Sequence, residues 1–262
     1  MNLDDLKHAQ RERLDFLDRC LTWRGSANRR DLIERFGISN AQAAIDFRTY
    51  IDRSPTPPRY DAGEKRYLAA RDHVAFSSSS LQEIFGVIET DAGRKPSALP
   101  QPERQMDREI IARIYQAIRD RCALSIRYTS MQSGAREEQW IAPVRFTSDG
   151  ESIHLRAWSE RHTAYRDYLP IRIDPDSSFA ERKLDEPLPY DEDWNTLARI
   201  WLRPKHTLSD EQAAVVRREY GFEGALLLVE TRKAMEFYFD RRWHIGEAGS
   251  RLERERTEYL PI

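Results

Sequence analysis

Residues 28–67, NRRDLIERFGISNAQAAIDFRTYIDRSPTPPRYDAGEKRY, decide the fold. They divide into two short helices separated by a tight turn, followed by a charged hairpin. Asn28 stands where a capping residue belongs, ahead of Arg29, Arg30 and Asp31. Leu32, Ile33 and Phe36 then repeat at helical spacing until Gly37 stops the helix. Gly37-Ile38 forms the turn. Ser39 and Gln42 make an S-x-x-Q capping box for a second helix. Its inner face is expected to hold Ala44, Phe47 and Ile51, leaving Asn40, Gln42, Ala43 and Tyr50 elsewhere. Pro55, Pro57 and Pro58 end that helix, and Arg59 to Tyr67 reads as two short strands around a turn.

The outline is that of a winged helix-turn-helix, and it points to duplex DNA. In such folds the start of the second helix enters the major groove, where Asn and Gln pair with adenine and Arg with guanine or phosphate. The residues expected at the interface are Arg29, Ser39, Asn40, Gln42, Ala43, Arg48 and Tyr50 on the helices. Arg59, Tyr60, Lys65 and Arg66 are expected on the wing, their cations facing phosphates. The same outline also occurs in small helical domains that pack against a protein partner.

With 262 residues the chain has room for two or three small domains, each with its own core. The formal net charge is -2, so affinity for nucleic acid must come from local placement of Arg and Lys. Residues 1–76 hold 14 of the 42 basic and 12 of the 44 acidic side chains, an asymmetry of the right sign but small. Cys20 and Cys122 form no C-x-x-C pair, which disfavours a disulfide framework or a structural zinc site and suits a reducing cytoplasm. Met1 to Gln10 is polar, and the longest aliphatic run, Ala225 to Val229, is too short to span a bilayer. A soluble protein with no membrane partner is therefore expected. No Gly-rich phosphate loop or G-x-S-x-G elbow occurs, and the six His residues never fall at ligand spacing. No catalytic residue, metal or resident cofactor is expected. An enzyme acting on nucleotides would need His154 or Asp167 as general base.

An amphipathic helix over about Leu3 to Trp23, with Leu6, Leu14, Leu17 and Leu21 as its stripe, completes a first domain at residues 1–76. Residues 77–104 read as a connection holding a short helix around Leu81 to Ile88. A second domain, 105–185, opens with a helix over Gln105 to Arg121 that presents Ile110, Ile114, Ala117 and Ile118. The period then changes from helical to alternating: Leu124, Ile126, Tyr128; Ile153, Leu155, Ala157; Leu169, Ile171, Ile173. Turn signals at Ser133-Gly134 and Asp149-Gly150 favour a small, strongly bent antiparallel sheet or barrel. After an acidic, Pro-containing linker, Asp185 to Asp193, residues 186–262 form a small α/β module. Its strands are expected at Ile200-Leu202 and Ala225 to Thr231, with helices at Ala213 to Tyr220 and Lys233 to Trp243.

Period two places His154 and Arg156 on one face of a strand, and Arg166, Tyr168 and Arg172 on one face of another. Should those faces meet, a cationic pocket results, with Tyr128 and Ser130 adding hydroxyls, suited to a phosphate or carboxylate. Alternation alone favours Arg residues that face water on a half-buried sheet; His154 taken alone reads as a hydrogen-bonded structural His, and Arg166-Asp167 is alternatively an ion pair. Trp140 and Trp158 read as core or interface aromatics.

The order of these pieces resembles the WYL-domain transcriptional regulators: a winged helix-turn-helix, a WYL domain and a WCX-type extension. Within that class it is most similar to the repressors that accompany bacterial anti-phage systems of the BREX and CBASS type. The first domain carries the resemblance through Arg30-Asp31-Leu32, Phe36-Gly37-Ile38-Ser39, Gln42-Ala43, Asp46, Tyr50 and Tyr60-Asp61. In the middle domain the matching stretches are Ile126 to Ser130, Trp140 to Pro143, His154 to Trp158 and Tyr165 to Tyr168. Where the eponymous Trp-Tyr-Leu would stand, this chain has Ile153-His154-Leu155. The resemblance implies an α+β multidomain protein with a central SH3-like or Sm-like barrel. That barrel would sense a nucleotide-derived or otherwise anionic effector, an oligonucleotide among them. It further implies a homodimer joined through the carboxy-terminal domain, an inverted-repeat operator, and control of a phage-defence operon relieved by the effector. The rival reading from the residues is an RNA- or protein-binding adaptor that works through the barrel surface.

Overall fold

The computed structural model describes residues 5–90 and 105–262, and the chain forms two compact units, Met1–Gln101 and Pro102–Ile262. The first unit runs α1 (His8–Arg24), β1 (Ser26–Ala27), α2 (Arg29–Phe36), α3 (Asn40–Arg53), β2 (Arg59–Asp61), β3 (Arg66–Leu68) and α4 (Leu81–Thr90). Leu14, Leu17 and Leu21 line the inner side of α1, as their spacing requires, and meet Leu32 of α2 with Ala43 and Phe47 of α3. Each such Leu contributes about 1.5–3 kcal/mol on leaving water. The helix expected within the connection belongs to this core: α4 inserts Val87, and Arg19 of α1 pairs with its Glu83 at 2.8 Å. Residues 91–104, the remainder of that connection, and residues 1–4 lie outside the described residues.

In the second unit, α5 (Arg108–Asp120) is capped by Asp107 and buries Ile110, Ile114 and Ala117 against a five-stranded antiparallel sheet. The strands are β4 (Cys122–Thr129), β5 (Arg136–Ser148), β6 (Ile153–Ser159), β7 (Ala164–Tyr168) and β8 (Glu181–Lys183), in the order β7-β6-β5-β4-β8. The expected turns are present, with Gly134 and Gly150 both at positive φ. The sheet curls until Ile173 bridges to Tyr128. No ladder joins β7 to β8 among the described residues, so the barrel implied by the resemblance is not closed.

One strand expectation fails. Leu169 to Ile173 is not a strand but a 3-10 turn, Pro170–Arg172, because Pro170 has no N–H for a ladder and fixes φ near the helical value.

The third module packs α6 (Asp210–Glu219) and α7 (Glu236–Trp243) on a sheet ordered β10-β9-β11, namely β10 (Leu227–Arg232), β9 (Thr196–Pro204) and β11 (Leu252–Pro261). The last strand escapes sequence reading because LERERTEYLP alternates charge rather than hydrophobicity. Its carboxylates pair across to β9 instead, Glu253 and Glu255 meeting Arg203 at 2.8 and 3.0 Å.

Candidate nucleic-acid interface

Helices α2 and α3 are each capped at the amino end by a side chain. Asn28 accepts from the Asp31 N–H at 3.2 Å while Asp31 accepts from the Asn28 N–H at 2.6 Å, a reciprocal box at the start of α2. Gly37 closes that helix at φ 65, donating to the Ile33 carbonyl. Ser39 caps α3 by accepting from the Gln42 N–H at 3.1 Å. The Gln42 side chain does not return the bond; its Nε2 donates to Asp46 at 3.1 Å, so the expected box is half made and Gln42 lies along its own helix.

Two residues assigned to the DNA face are inside the protein. Ala43 and Tyr50 are buried at 0% and 1% exposure, and the inner face of α3 is Ala43, Asp46, Phe47 and Tyr50 rather than Ala44, Phe47 and Ile51. The reason is that two polar groups are satisfied across α1. Asp46 accepts from Arg13 Nε at 2.6 Å and from Gln10, and the Tyr50 hydroxyl donates to buried Asp18 at 2.7 Å. Burial first, and the Asp18 carboxylate second, push the Tyr50 phenol far up. The outward stripe at helical spacing becomes Ala41, Ile45, Arg48 and Asp52, with Asn40 exposed beside it at the amino end.

β1, β3 and β2 make the wing sheet, in that order. At its tip Asp61 accepts from the Gly63 and Glu64 N–H groups at 2.9 and 3.1 Å, and Lys65 adopts φ 53. These bonds, the Glu64 N–H foremost, hold the Asp61 carboxyl below its usual range. Tyr60 is half exposed, its ring 4.9 Å from Tyr67, which stacks on Phe47 of α3 at 4.4 Å. The wing is thereby tied to the recognition helix. Arg29, Arg48, Arg59 and Lys65 are exposed and make no ion pair or hydrogen bond with another described residue. Arg66 is half-buried and engaged by Glu64 at 3.1 Å.

In the middle domain the two sets of expected ligand residues do not meet. Arg156 pairs in register with Asp167, whereas Arg166 lies opposite Ala157 and Tyr168 opposite Leu155. Residues directly opposite in an antiparallel pair share a face. His154 and Arg156 therefore face one side of the sheet, and Tyr128, Arg166 and Tyr168 the other.

On the core side, the Tyr168 hydroxyl donates to Gln139 at 3.0 Å, and Tyr128 accepts from the Leu169 N–H at 3.2 Å. Ser130 caps the β4-β5 turn by accepting from the Gln132 and Ser133 N–H groups. Arg172 sits in the 3-10 turn and Arg166 is exposed, neither with a described partner.

On the opposite side, buried Arg156 donates to both oxygens of Asp191 at 2.6 Å and to Asp167 at 3.2 Å. The alternative Arg166-Asp167 pair is not formed. His154 lies 3.0 Å from Asp149 and its ring 4.4 Å from Tyr238 of α7. Burial opposes the Asp149 charge, but hydrogen bonds from His154 and from the Glu151 and Ser152 N–H groups outweigh it and hold the carboxyl at about 2. Arg145 stands opposite Arg156 in register, with its guanidinium 4.3 Å above the Trp194 ring, and Thr147 stands opposite His154. Arg145 Nε and Thr147 Oγ1 are buried without a partner among the described residues.

Three family models cover most of the chain: the BrxR winged helix-turn-helix domain at residues 9–90, the WYL domain at 109–175 and the BrxR C-terminal dimerization domain at 197–260. A DNA-binding transcriptional repressor CapW of Stenotrophomonas maltophilia is 32% identical over 247 residues, covering 89% of this chain and 82% of the relative. The chain belongs to the BrxR/CapW family of transcriptional regulators. CapW repressors of Escherichia coli (strain KTE188) and Pseudomonas aeruginosa are each 29% identical, covering 92% and 91% of this chain and 85% and 84% of theirs. Among solved structures, the proteasome accessory factor B/C (PafBC) of Arthrobacter aurescens aligns at 17% identity and TM-score 0.27, over 92% of this chain and 46% of that one. That likeness is too low to bear on the fold.

Within this BrxR/CapW chain, sequence reading missed Ala41 and Ile45 on the outer face of α3, and Arg145, Asp191 and Tyr238 beside His154 and Arg156. Ile45 carried a signal, being an apolar residue off the helix stripe. Arg145 carried none, since the register shift between Pro143 and Arg145 breaks the alternation of β5. No described helix is long and apolar enough to cross a membrane.

Proposed function

We propose that this chain is a homodimeric, sequence-specific DNA-binding repressor, a regulator rather than an enzyme. It joins its subunits through residues 197–260 and binds an inverted-repeat operator, that of a phage-defence operon. The observation that carries the reading is the outward face of α3. Asn40 and Arg48 stand free on a helix whose opposite side is locked into the core, flanked by the unpaired cations Arg29, Arg59 and Lys65. Unpaired cations around an open helix suit a polyanion, and a free Asn at the helix start suits a base edge. The matched dimerization domain and the CapW relatives support the homodimer and the repressor role.

Relief of repression belongs to the face of β5 and β6 that carries Arg145, His154 and Arg156. An anionic, nucleotide-derived effector there would meet the free Nε of Arg145 and compete with Asp167 and Asp191 for Arg156. Because Asp191 lies in the segment leading to the dimerization domain, its release alters how the subunits are held. For a hundredfold loss of operator affinity the effector must favour the DNA-incompetent state by about 2.7 kcal/mol.

The test uses the full chain on duplexes enriched from a random pool. Anisotropy titrations over a series of salt concentrations should show the salt slope falling by about 0.9 for each of Arg59→Ala and Lys65→Ala. Asn40→Ala should lose about 1–3 kcal/mol of discrimination between preferred and mismatched duplexes. Wild-type behaviour in all three rejects the docking. Calorimetric titration of mononucleotides and short single-stranded oligonucleotides into wild type and Arg145→Ala tests the effector face. Equal binding to both would remove it.

A further inference from the structure

Ile45 is the one large apolar side chain exposed on α3, at 52%. Neither folding nor helix formation accounts for it. Ala43, Phe47 and Tyr50 already fill the inner face, and a β-branched residue is a poorer helix former than the Lys, Glu or Gln expected on a solvated side. Its surroundings are specific. Ala41 lies one turn before it and Arg48 one turn after, on the same exposed stripe, while the adjacent Thr49 turns its hydroxyl onto the Ile45 carbonyl at 2.9 Å. The stripe therefore offers an apolar centre between a free amide at Asn40 and a free guanidinium at Arg48, with small Ala41 allowing close approach.

A protein helix docked there would bring apolar surface against Arg48 and leave the wing cations Arg59 and Lys65 unanswered. A DNA major groove answers both, because its walls are phosphates and its floor carries one apolar group, the C5-methyl of thymine. We propose that Ile45 contacts a thymine methyl and so sets a preference for A·T at one position of each half-site. The inference rests on the DNA-binding reading above and adds to it the base that the centre of α3 selects.

The experiment replaces each thymine of an enriched duplex, one at a time, by deoxyuridine, which deletes a single methyl and keeps every hydrogen-bonding group. Full-length wild type should lose about fourfold in affinity at one thymine per half-site, the effect of withdrawing one methyl from apolar contact. Ile45→Ala should bind the thymine duplex more weakly and show no further loss at that position. Ile45→Val, which keeps the branch, should retain part of the sensitivity. Equal deoxyuridine sensitivity in wild type and Ile45→Ala, or no sensitive thymine at all, overturns the proposal while leaving DNA binding intact. Failure of the wild type to enrich any duplex instead counts against the DNA-binding reading itself and takes the proposal with it.

Discussion

Asp46 and Tyr50 have the composition of surface positions and the environment of core positions. On a helix each residue advances the phase by about 100°, so moving the buried stripe by one residue exchanges Ala43 for Ala44 and Tyr50 for Ile51. Apolar spacing alone favours the second set. What selects the first is pairing with α1: Arg13 on Asp46, and Asp18 under Tyr50, where it also accepts from the Phe76 N–H at 3.1 Å. A buried carboxylate that keeps its donors is tolerated, and one that loses a donor is costly. Tyr50→Phe should therefore lower stability in urea by about 1–3 kcal/mol while leaving the duplex affinity of the folded protein unchanged. A Tyr50 that touched DNA would give the reverse, full stability with weakened binding. At this scale the sequence was legible where a side chain acts alone, as with the Asn28 and Ser39 caps. It was not legible where two side chains distant in sequence satisfy each other.

At the scale of elements, the helix-turn-helix and wing were readable because each boundary is set by local chemistry. Asn28 and Ser39 cap, Gly37 reverses the chain and Pro57-Pro58 precede the wing. Gly37 sits at φ 65 with open space where a Cβ would be, so Gly37→Ala costs backbone strain without a clash. About 1–2 kcal/mol of destabilisation is expected by denaturant titration, with Gly37→Asn losing less. No loss with Ala would mean that the turn is not held in the left-handed region. The elements that escaped reading are those defined by partners. β11 is a charged edge strand whose apolar content is low and whose pairing to β9 decides it. Leu169 to Ile173 has strand-like alternation, yet Pro170 turns it. Of the polar residues expected together in the middle sheet, His154 and Arg156 take one face and Arg166 and Tyr168 the other. The cross-strand register that separates Arg156 from Arg166 cannot be seen within either strand alone.

Across the whole molecule, chemistry is divided by position. The first unit presents free cations and a free Asn on an open helix. The second keeps its most buried cation, Arg156, fully engaged by Asp167 and Asp191, next to an Arg145 that still lacks a partner for Nε. Such a division suits a first unit that grips a polyanion. It is also compatible with a net charge of -2 in a DNA-binding chain, because affinity for phosphate depends on where Arg and Lys stand and not on their total. Three modules were foreseeable from changes of period and from the acidic linker, whereas the way Asp191 and Tyr238 close over the middle sheet was not.

Hydroxyl-radical footprinting of the full chain on an enriched duplex, with wild type and Arg48→Ala side by side, tests the central claim most directly. Two subunits, each placing α3 in a major groove, should protect two symmetry-related patches on one face of the helix, about 10–10.5 base pairs or a multiple apart centre to centre. Arg48→Ala should weaken both patches together. A single asymmetric patch, sequence-independent protection, or a footprint untouched by Arg48→Ala would contradict the account.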